Sequence, residues 1–390
     1  MSNIPELRFK EFSGEWEEKK LGDIAIFFNS KRVPLTDRDR VKGIYPYYGA
    51  SGIIDYVNNY IFDGEYILLG EDGANILMRN SRLVFLANGK FWVNNHAHVF
   101  QALESNYFLC EALERIRYDR YNTGTAQPKL NSEVVKKIQL FLPQKQEQQK
   151  IASFLTTIDT KIEQLSKKVE LQEQYKKGVM QKIFNQEIRF KNDDGSEFDE
   201  WEEKKLKDVL FEHKTRNSDN NIKEVFSVAK TKGIINQIEH LGRSYASKDL
   251  RNYKIVFPND IVYTKSPTSD FPYGIIKKNK LNRIGVVSTL YAVFKPINSY
   301  ISSYLDYYFD SWINTYNYLH PLVQKGAKNT MNINNNDFLN GKNIFMPISE
   351  NEQKKIYDFL STLDKQIDST KKQLAKTKEF KKGLLQRMFV

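Results

Sequence analysis

The chain contains two copies of one long sequence unit. The string WEEKKL occupies residues 16–21 and again 201–206, an offset of 201 − 16 = 185 residues. The string YKKGVMQKIF at 175–184 returns as FKKGLLQRMF at 380–389, an offset of 380 − 175 = 205 residues. The flanks of the copies match, whereas the interior of the second is longer and shares almost no sequence with the first. A fixed frame around divergent contents predicts one scaffold that carries two different recognition surfaces.

Apolar residues in the later part of each copy recur at spacings of three and four, which is typical of one seam of a coiled coil. Polar residues interrupt the seam at Gln172 and Lys176, and at Thr377 and Lys381 in the matching places of the second copy. We favour pairing within one chain because polar seam residues commonly fix register; the alternatives are two independent helical hairpins or a seam between two chains. The seam residues are Ile151, Leu155, Ile158, Ile162, Leu165 and Val169 in the first copy and Ile356, Leu360, Leu363, Ile367 and Leu374 in the second.

The order of segments predicts how the two helices run. The first helix leads from the first globular segment to the second, and the second helix follows the second globular segment. The helices should therefore pack antiparallel, in a pseudo-twofold arrangement with one globular body at each end. Residues 188–190 (IRF) echo residues 7–9 (LRF), so the end of the second helix should lie near the start of the chain.

The globular segments are predicted to be of mixed structure. Strand-like runs at 66–69, 83–86 and 91–100 precede a helical stretch at 107–118 in the first copy. Runs at 260–264 and 285–294 and a helical stretch at 300–318 keep the same order in the second. The sequence therefore predicts an α+β fold with two homologous mixed α/β domains and two long antiparallel coiled-coil helices.

Composition limits the class of protein. An apolar share of 40% over 390 residues is enough for two or three folded domains, and a net charge of +11 favours polyanionic partners without deciding the matter. Cys110 lies in an apolar helical pattern and is predicted to be a core residue. The first twenty residues carry no apolar secretion signal and no run is long enough to span a bilayer, so we expect a cytoplasmic protein without a membrane partner.

The sequence carries no signature of an enzyme. It lacks G-x-x-x-x-G-K-[ST], G-x-G-x-x-G, H-E-x-x-H and G-x-S-x-G, and also the Asn-Pro-Pro-Tyr or Asp-Pro-Pro-Tyr tetrad of amino-methyltransferases. His96 and His98 alternate on a predicted strand and could reach one metal ion, but no third ligand is close in sequence. Hydrogen bonding within the domain, or contact with a base edge, is favoured. We therefore expect no catalytic residues, no metal and no cofactor on this chain.

Polar loops between the predicted core elements carry candidate nucleic-acid contacts. Phosphates require cations, and bases require forked or planar polar side chains. One such loop is usually only solvated, but these loops recur in both copies. The candidates in the first copy are Lys31, Arg32, Tyr47, Tyr48, Ser51, Arg79, Arg82, Asn94, Asn95, His96, His98, Thr125, Gln127 and Lys129. Those in the second copy are Lys214, Arg216, Lys230, Arg243, Lys248, Lys265, Ser266, Lys325, Lys328 and Asn329.

Two glycines, Gly178 and Gly383, lie inside the predicted helices but outside the seam. Each costs about 1 kcal/mol of helix stability relative to alanine. They mark either a hinge near a fraying end or a place where a helix of another protein approaches the backbone, and the sequence leaves both interpretations open.

The set of motifs resembles the DNA specificity subunit of type I restriction-modification systems. The matching elements are R-F-x-x-F, K-L-x-D-[IV], YPYYGASGIIDY at 45–56, GTAQPKL at 124–130, E-Q-x-K-I-x-x-F-L and K-K-G-[VL]-[ML]-Q, and together they extend over essentially the whole chain. The second copy departs from the pattern, with GAKNTMN where the first has GTAQPKLN, which leaves the role of Lys328 and Asn329 open.

The resemblance implies target-recognition domains at 1–142 and 186–346, each reading half of an asymmetric bipartite site in double-stranded DNA. It implies conserved coiled-coil helices at 143–185 and 347–390 that act as a ruler and dock two methyltransferase subunits. S-adenosylmethionine is then expected on those partners, and ATP and magnesium on partner subunits as well, with separate restriction subunits for translocation and cleavage. The competing hypotheses are a protein-binding coiled-coil adaptor and a nuclease or methyltransferase in its own right.

Overall fold

Two structural units make up the chain in the computed structural model, which describes residues 3–230, 232–265, 271–325 and 331–390. Unit 1 combines residues 1–168 with residues 370–390, and unit 2 contains residues 169–369. Each unit therefore contains one globular domain with part of each long helix.

The elements of unit 1 begin with short strands and end with a long helix. Its strands are β1 (Glu17–Lys20), β2 (Ala25–Phe27), β3 (Lys42–Gly49), β4 (Gly52–Val57), β5 (Phe62–Gly70), β6 (Val84–Val93), β7 (Ala97–Ala102) and β8 (Gln139–Leu142). Its helices are α1 (Leu21–Ile24), α2 (Asn75–Met78), α3 (Asn106–Glu114), α4 (Ser132–Lys136) and α5 (Lys145–Phe184, which continues into unit 2), with 3-10 turns at Asn29–Lys31 and Tyr118–Tyr121.

The main sheet of unit 1 has the strand order β2-β7-β5-β6-β3-β4. Its pairs are antiparallel except for β3 with β6. The central strand β5 is apolar in succession because both of its faces are covered: Ile67 and Leu69 belong to the core beside the helices, and Leu68 to a second core. Strands β1 and β8 form a separate antiparallel pair that leads into α5.

The elements of unit 2 follow a similar order. Its strands are β9 (Glu202–Lys204), β10 (Leu210–Glu212), β11 (Phe226–Ala229), β12 (Gly233–Asn236), β13 (Lys254–Val256), β14 (Ile261–Thr264), β15 (Ile275–Lys278), β16 (Gly285–Val287), β17 (Tyr291–Pro296), β18 (Gln324–Lys325), β19 (Met331–Asn332) and β20 (Ile344–Met346). Its helices are α6 (Gln237–Leu241), α7 (Ser299–Asp310), α8 (Trp312–Leu319), α9 (Asn335–Leu339) and α10 (Glu350–Arg387, which continues into unit 1), with 3-10 turns at Leu206–Asp208 and His320–Leu322.

The two units repeat one plan. The main sheet of unit 2 has the order β10-β17-β14-β15, which matches β2-β7-β5-β6 of unit 1, and β9 pairs with β20 as β1 pairs with β8. The additional ladders β11-β12, β13-β16 and β18-β19 belong to unit 2. The prediction of two homologous mixed domains is therefore confirmed, and the fold class is α+β.

Three predicted elements are interrupted in the structure. The run at 91–100 divides between β6 and β7 because the side chain of Asn94 accepts a hydrogen bond from the N–H of His96 and forms a turn. The run at 285–294 divides between β16 and β17. The helix predicted at 300–318 is two helices, and Ser311 caps the second by accepting from the N–H of Asn314.

The long helices α5 and α10 bury the predicted seam. They contain 40 and 38 residues, and every seam residue named from the sequence is buried or half-buried. In unit 1, Ile151 and Leu155 near the start of α5 share a core with Leu384 of α10 and with Met388, which directly follows that helix. In unit 2, Ile183 at the end of α5 shares a core with Ile356 near the start of α10. The predicted antiparallel pairing is confirmed within each unit.

The two lysines of the polar seam, Lys176 and Lys381, form ion pairs. In unit 1, Lys381 Nζ of α10 lies 2.6 Å from Asp159 Oδ1 of α5. The hydroxyl of Tyr107, on α3, donates to the same carboxylate, and burial together with this carboxylate raises the pKa of Tyr107. The seam thereby connects both long helices to the globular domain of unit 1.

The repeated arginine-phenylalanine motif has the same role in both units. Arg8 Nη2 lies 2.7 Å from Glu147 Oε2, and Arg189 Nη2 lies 3.2 Å from Glu352 Oε2. Both carboxylates are almost fully buried, so each arginine compensates a charge that would otherwise be costly to bury. The N–H of Leu7 donates to the carbonyl of Arg387 at 2.8 Å, which confirms that the end of α10 lies beside the start of the chain.

An aromatic cluster in the core of unit 1 brings together Trp16, Phe108 and Phe389. The rings of Trp16 and Phe108 lie 5.7 Å apart, and Phe389 stacks on Phe108 at 5.0 Å. The repeated tryptophan is therefore a core residue, as its position in the matched frame suggests. Among the described residues, no helix is long and apolar enough to cross a membrane.

Candidate nucleic-acid interface

Loops distant in sequence converge on Glu71, at the edge of the unit 1 sheet where β5 ends. The backbone N–H of Glu71 donates to the carbonyl of His96 at 2.8 Å, in the loop between β6 and β7. Its carbonyl accepts from the N–H of Leu130 at 2.7 Å, at the end of the 122–130 loop. The 29–32 segment reaches the same place through its side chains. The sheet thus gathers three of the predicted contact loops into one site.

The carboxylate of Glu71 lies between two cations. Arg32 Nη1 is 2.7 Å from Glu71 Oε2, and Lys129 Nζ is 3.4 Å from Oε1. Arg32 also donates to the carbonyl of Ala97 at 2.8 Å. Burial raises the pKa of Glu71, but the hydrogen bond from Arg32 and the surrounding positive charge together lower it by more. The net shift of the pKa is therefore downward. At neutral pH Glu71 is therefore an anion held by Arg32 and Lys129; we call these three residues the Glu71 cluster.

His98 lies beneath the Glu71 cluster as a fully buried, neutral imidazole. Its Nε2 donates to the carbonyl of Leu130 at 2.7 Å, so Nδ1 is the acceptor for Asn29 Nδ2 at 3.0 Å. The amide of Asn29 is fixed because its oxygen accepts from the N–H of Val99 at 2.9 Å. Burial lowers the pKa of His98. Hydrogen bonding within the domain, one of the favoured interpretations for this histidine, is confirmed.

No metal site accompanies this histidine in the part of the chain that the structure describes. There, no group of three histidine, cysteine, aspartate or glutamate side chains is arranged to hold an ion. His96 instead places its Nδ1 2.8 Å from Asp72 Oδ2, with about half of its side chain exposed. Cys110 is buried on α3, and burial raises the pKa of its thiol to about 12, in keeping with the predicted core position.

Exposed polar groups surround the Glu71 cluster. Lys129 keeps 47% of its side chain exposed, so its ammonium is open to a further anion. Such groups are the donors and acceptors that phosphates and base edges require. The other exposed predicted residues at this edge are Lys31, Asn95, His96, Thr125 and Gln127.

The 122–130 loop is closed by its own hydrogen bonds. The side-chain oxygen of Asn122 accepts from the N–H groups of Gly124 at 3.1 Å and Lys129 at 2.8 Å. Gly124 is needed there because a Cβ atom would clash with the carbonyl oxygen of Gln127. The loop therefore presents Thr125 and Gln127 at an exposed tip.

Burial contradicts two of the predicted DNA contacts at this edge. His98 exposes none of its surface and Asn94 only 6%. Both were predicted as contacts in polar loops, but the 122–130 loop covers His98 through the carbonyl of Leu130, and Asn94 is buried in the turn that it forms with His96. These two residues shape the site from beneath.

The β3–β4 hairpin carries three predicted contacts with different surroundings. Tyr47 is 1% exposed and its hydroxyl accepts from the N–H of Leu35 at 2.9 Å, so its burial also contradicts a direct DNA contact. Tyr48 is half-buried, with its ring 5.9 Å from that of Phe85. Ser51 is exposed in the turn and is the accessible member of the three.

Two predicted arginines join the 71–84 region to α3. Arg79 Nη2 donates to the carbonyl of Glu114 at 2.6 Å and to its carboxylate at 2.7 Å. Arg82 Nη1 lies 2.9 Å from Glu111 Oε1 and remains 44% exposed. Arg79 is thus engaged in holding the loop, whereas Arg82 retains surface for a ligand.

The corresponding edge of unit 2 has the opposite central charge. Strands β14 and β17 pair as β5 and β7 do, so Thr264 occupies the place of Gly70. The residue that follows is Lys265 in unit 2 and Glu71 in unit 1. One scaffold therefore presents different chemistry at the same place.

Lys254 and Glu212 are the charged groups that act on Lys265. Burial lowers the pKa of Lys265, and the charge of Lys254 lowers it further, while Glu212 opposes the shift. Exposed Lys214 lies 3.6 Å from the Glu212 carboxylate, and exposed Arg216 donates to Asn252 at 3.3 Å, outside this group. Two half-buried lysines with one nearby carboxylate make a site suited to an anion.

The remaining predicted contacts of unit 2 include three surface residues, one strand residue and three positions outside the described residues. Lys230, Arg243 and Lys248 are exposed, and Lys325 lies in β18. The predictions for Ser266, Lys328 and Asn329 fall outside the described residues. Sequence reasoning missed Glu71, since an isolated acidic residue carries no nucleic-acid signal; its position directly after a buried strand was the available clue.

Both copies of the repeat match one protein family. Residues 13–173 and 198–379 match the family described as type I restriction modification DNA specificity domain. The relative S.HindORF215P of Haemophilus influenzae is 36% identical over 146 residues, 37% of each chain. The type I restriction enzyme MjaVIII specificity subunit of Methanocaldococcus jannaschii is 27% identical over 233 residues, 54% of each chain. The chain thus spans about half or less of the length of these curated relatives.

The fold is also that of a solved structure. The crystal structure of an S subunit of a type I restriction-modification system from M. genitalium aligns with a TM-score of 0.63 over 99% of both chains. The identity is 15%, so this likeness concerns the fold.

Proposed function

Because the chain belongs to the type I restriction-modification DNA specificity family, we propose that it is a non-catalytic subunit whose two globular domains each read half of an asymmetric bipartite DNA site. The observation that carries this proposal is the contrast between Glu71 and Lys265. Equivalent sheet edges that differ in charge and in their loops are suited to different base sequences. Direct readout requires such edges to present donors and acceptors to a groove, with cations nearby for phosphates.

The long helices offer equivalent surfaces for two methyltransferase subunits. Tyr175 on α5 and Phe380 on α10 occupy matched positions and expose 56% and 57% of their surface. Gly178 and Gly383, one turn further along, have no atom near the place of a Cβ. An exposed aromatic ring beside an open glycine suits close approach of a partner helix. In the proposed complex the partners carry S-adenosylmethionine, ATP and magnesium.

Methylation mapping tests the reading function. Adenine methylation in DNA from cells with and without the gene should reveal one bipartite motif that depends on this chain. Replacing residues 29–139 with the matching segment of a relative should change one half of that motif and preserve the other. A motif independent of the gene, or a replacement that changes both halves, would contradict the proposal.

Partner binding tests the docking surface separately. Tyr175→Ala and Phe380→Ala should each weaken methyltransferase binding at least about 10-fold, as expected for exposed aromatic anchors. Tyr245→Ala removes an aromatic residue that is 63% exposed and lies outside the two long helices, and it serves as the control. Equal affinity for all three variants would place docking elsewhere.

A further inference from the structure

Glu71 connects the loops at the end of β5 in unit 1 through both its backbone and its side chain. Its backbone joins the loop between β6 and β7 to the 122–130 loop, and its carboxylate pairs with Arg32. Lys129 of the 122–130 loop lies at the other carboxylate oxygen. A single residue therefore contacts all three loops, and its carboxylate adds a side-chain contact to two of them.

The two cations of the Glu71 cluster differ in availability. Arg32 is only 14% exposed, and it donates to carbonyls at 2.8 Å and 2.9 Å as well as to Glu71. Lys129 is 47% exposed and its ammonium is 3.4 Å from the carboxylate, longer than a strong ion pair. A phosphate of bound DNA would thus compete with Glu71 for Lys129 but not for Arg32.

We propose that Glu71 is a positioning residue for sequence discrimination: its carboxylate fixes the 122–130 loop and offsets the charge of Lys129, which limits phosphate binding and leaves base contacts to decide affinity. The inference rests on the proposed DNA-reading function. Phosphate contacts add affinity to every sequence, so a carboxylate that competes for Lys129 lowers the binding of all duplexes, whereas the loop that it places adds base contacts only at the specific site.

Unit 2 limits where the effect should be seen. Lys265 occupies the place of Glu71 there, so the same restraint by a carboxylate is missing from the equivalent position. A change at Glu71 should relax only the half of the site that unit 1 reads.

The test uses the full chain assembled with its methyltransferase partner, with duplexes that contain the mapped site or a scrambled sequence. Glu71→Gln should bind the scrambled duplex about 2- to 10-fold more tightly at low salt, with a salt slope steeper by about 1, because Lys129 gains a phosphate contact. Discrimination between the duplexes should fall, and methylated sites should relax in one half only. Glu65→Gln makes the same charge change at an exposed position of the same strand and should match the wild type.

A second variant separates geometry from charge. Glu71→Asp keeps the charge but shortens the side chain by one methylene, so it should retain the wild-type salt slope while losing discrimination. Equal weakening of both duplexes by Glu71→Gln, with discrimination intact, would show a merely structural role and overturn the inference, as would behaviour like Glu65→Gln. If the wild type itself fails to distinguish the duplexes, the reading function fails instead.

Discussion

Lys176 and Asp364 form in unit 2 the contact that Lys381 and Asp159 form in unit 1, with the helices exchanged. The lysine lies on α5 in unit 2 and on α10 in unit 1. Each long helix thus supplies a lysine to one unit and an aspartate to the other. A helix displaced by one turn would leave partly buried charges without partners, so these pairs disfavour alternative registers.

Removing one lysine of these pairs should destabilise the protein. Lys381→Met leaves Asp159 with only the hydroxyl of Tyr107, and we expect a loss of about 1–3 kcal/mol in the free energy of unfolding. Lys382→Met alters an exposed neighbour on the same helix and should stay within about 0.5 kcal/mol of the wild type. Urea unfolding followed by tryptophan fluorescence measures both. A similar midpoint for the two variants would remove the argument for paired seam charges.

The aromatic cluster at the end of α10 gives a second stability prediction. Phe389 is 6% exposed and packs on Trp16 and Phe108, so Phe389→Ala should cost about 3 kcal/mol. Phe380→Ala, on α10 but 57% exposed, should leave stability nearly unchanged. Thermal unfolding of both variants in one buffer provides the comparison, and equal melting temperatures would contradict the packing argument.

His98 should make stability depend on pH. Burial places its native pKa below the unfolded value of ~6.5, so the unfolded chain takes up a proton first as pH falls. The contribution is complete above pH ~6.5 and is lost as pH falls toward the native pKa, where the imidazolium could no longer accept from Asn29. The ring resonance in NMR should titrate below its usual range. In His98→Gln the free energy of unfolding should depend less on pH below pH ~6.5. An unchanged slope would assign the pH dependence to other groups.

Asp260 should act in the opposite direction. Burial raises its pKa to about 6, against the effects of the N–H of Phe257 and of Lys295. Because the native state binds the proton more tightly than the unfolded state, stability is highest below pH ~4 and falls as pH rises to about 6. Asp260→Asn retains an acceptor for Phe257 and should gain on the order of 2 kcal/mol at pH 7. Parallel stability curves for variant and wild type between pH 4 and 7 would disprove this.

The helical frame was predictable because its determinants are local and repeated. Heptad spacing from Ile151 and from Ile356 indicated both long helices, and the matched polar positions located Lys176 and Lys381. Even there, the partners Asp159 and Asp364 were not identified, because they lie outside the apolar seam and are defined by packing with the opposite helix. Periodicity indicates which face of a helix is buried, but it does not indicate which side chain of the opposite helix packs against that face.

The site around the Glu71 cluster was less predictable because it is assembled from loops distant in sequence. His98 and Tyr47 lie in sequence segments that are typical of polar loops. Both are nevertheless buried, because His98 is hydrogen-bonded to the backbone of Leu130 and Tyr47 to the backbone of Leu35, and no local pattern reveals these contacts. Glu71 gains its significance only when the 122–130 loop returns to the end of β5. Where the outcome depends on which segments meet in space, residue type alone does not decide it.

The residue ranges of the two units determine when each core can be completed during synthesis. Residues 169–369 of unit 2 are contiguous, whereas unit 1 needs residues 370–390 to complete its core. At translation rates of ~5–20 residues per second, the roughly 200 intervening residues take about 10–40 s to appear. During that interval Trp16 and Phe108 of the first globular domain still lack Phe389, and every residue of unit 2 is made before that contact can form. The core of the domain that is made first therefore receives its last side chains after all of unit 2 has been synthesised.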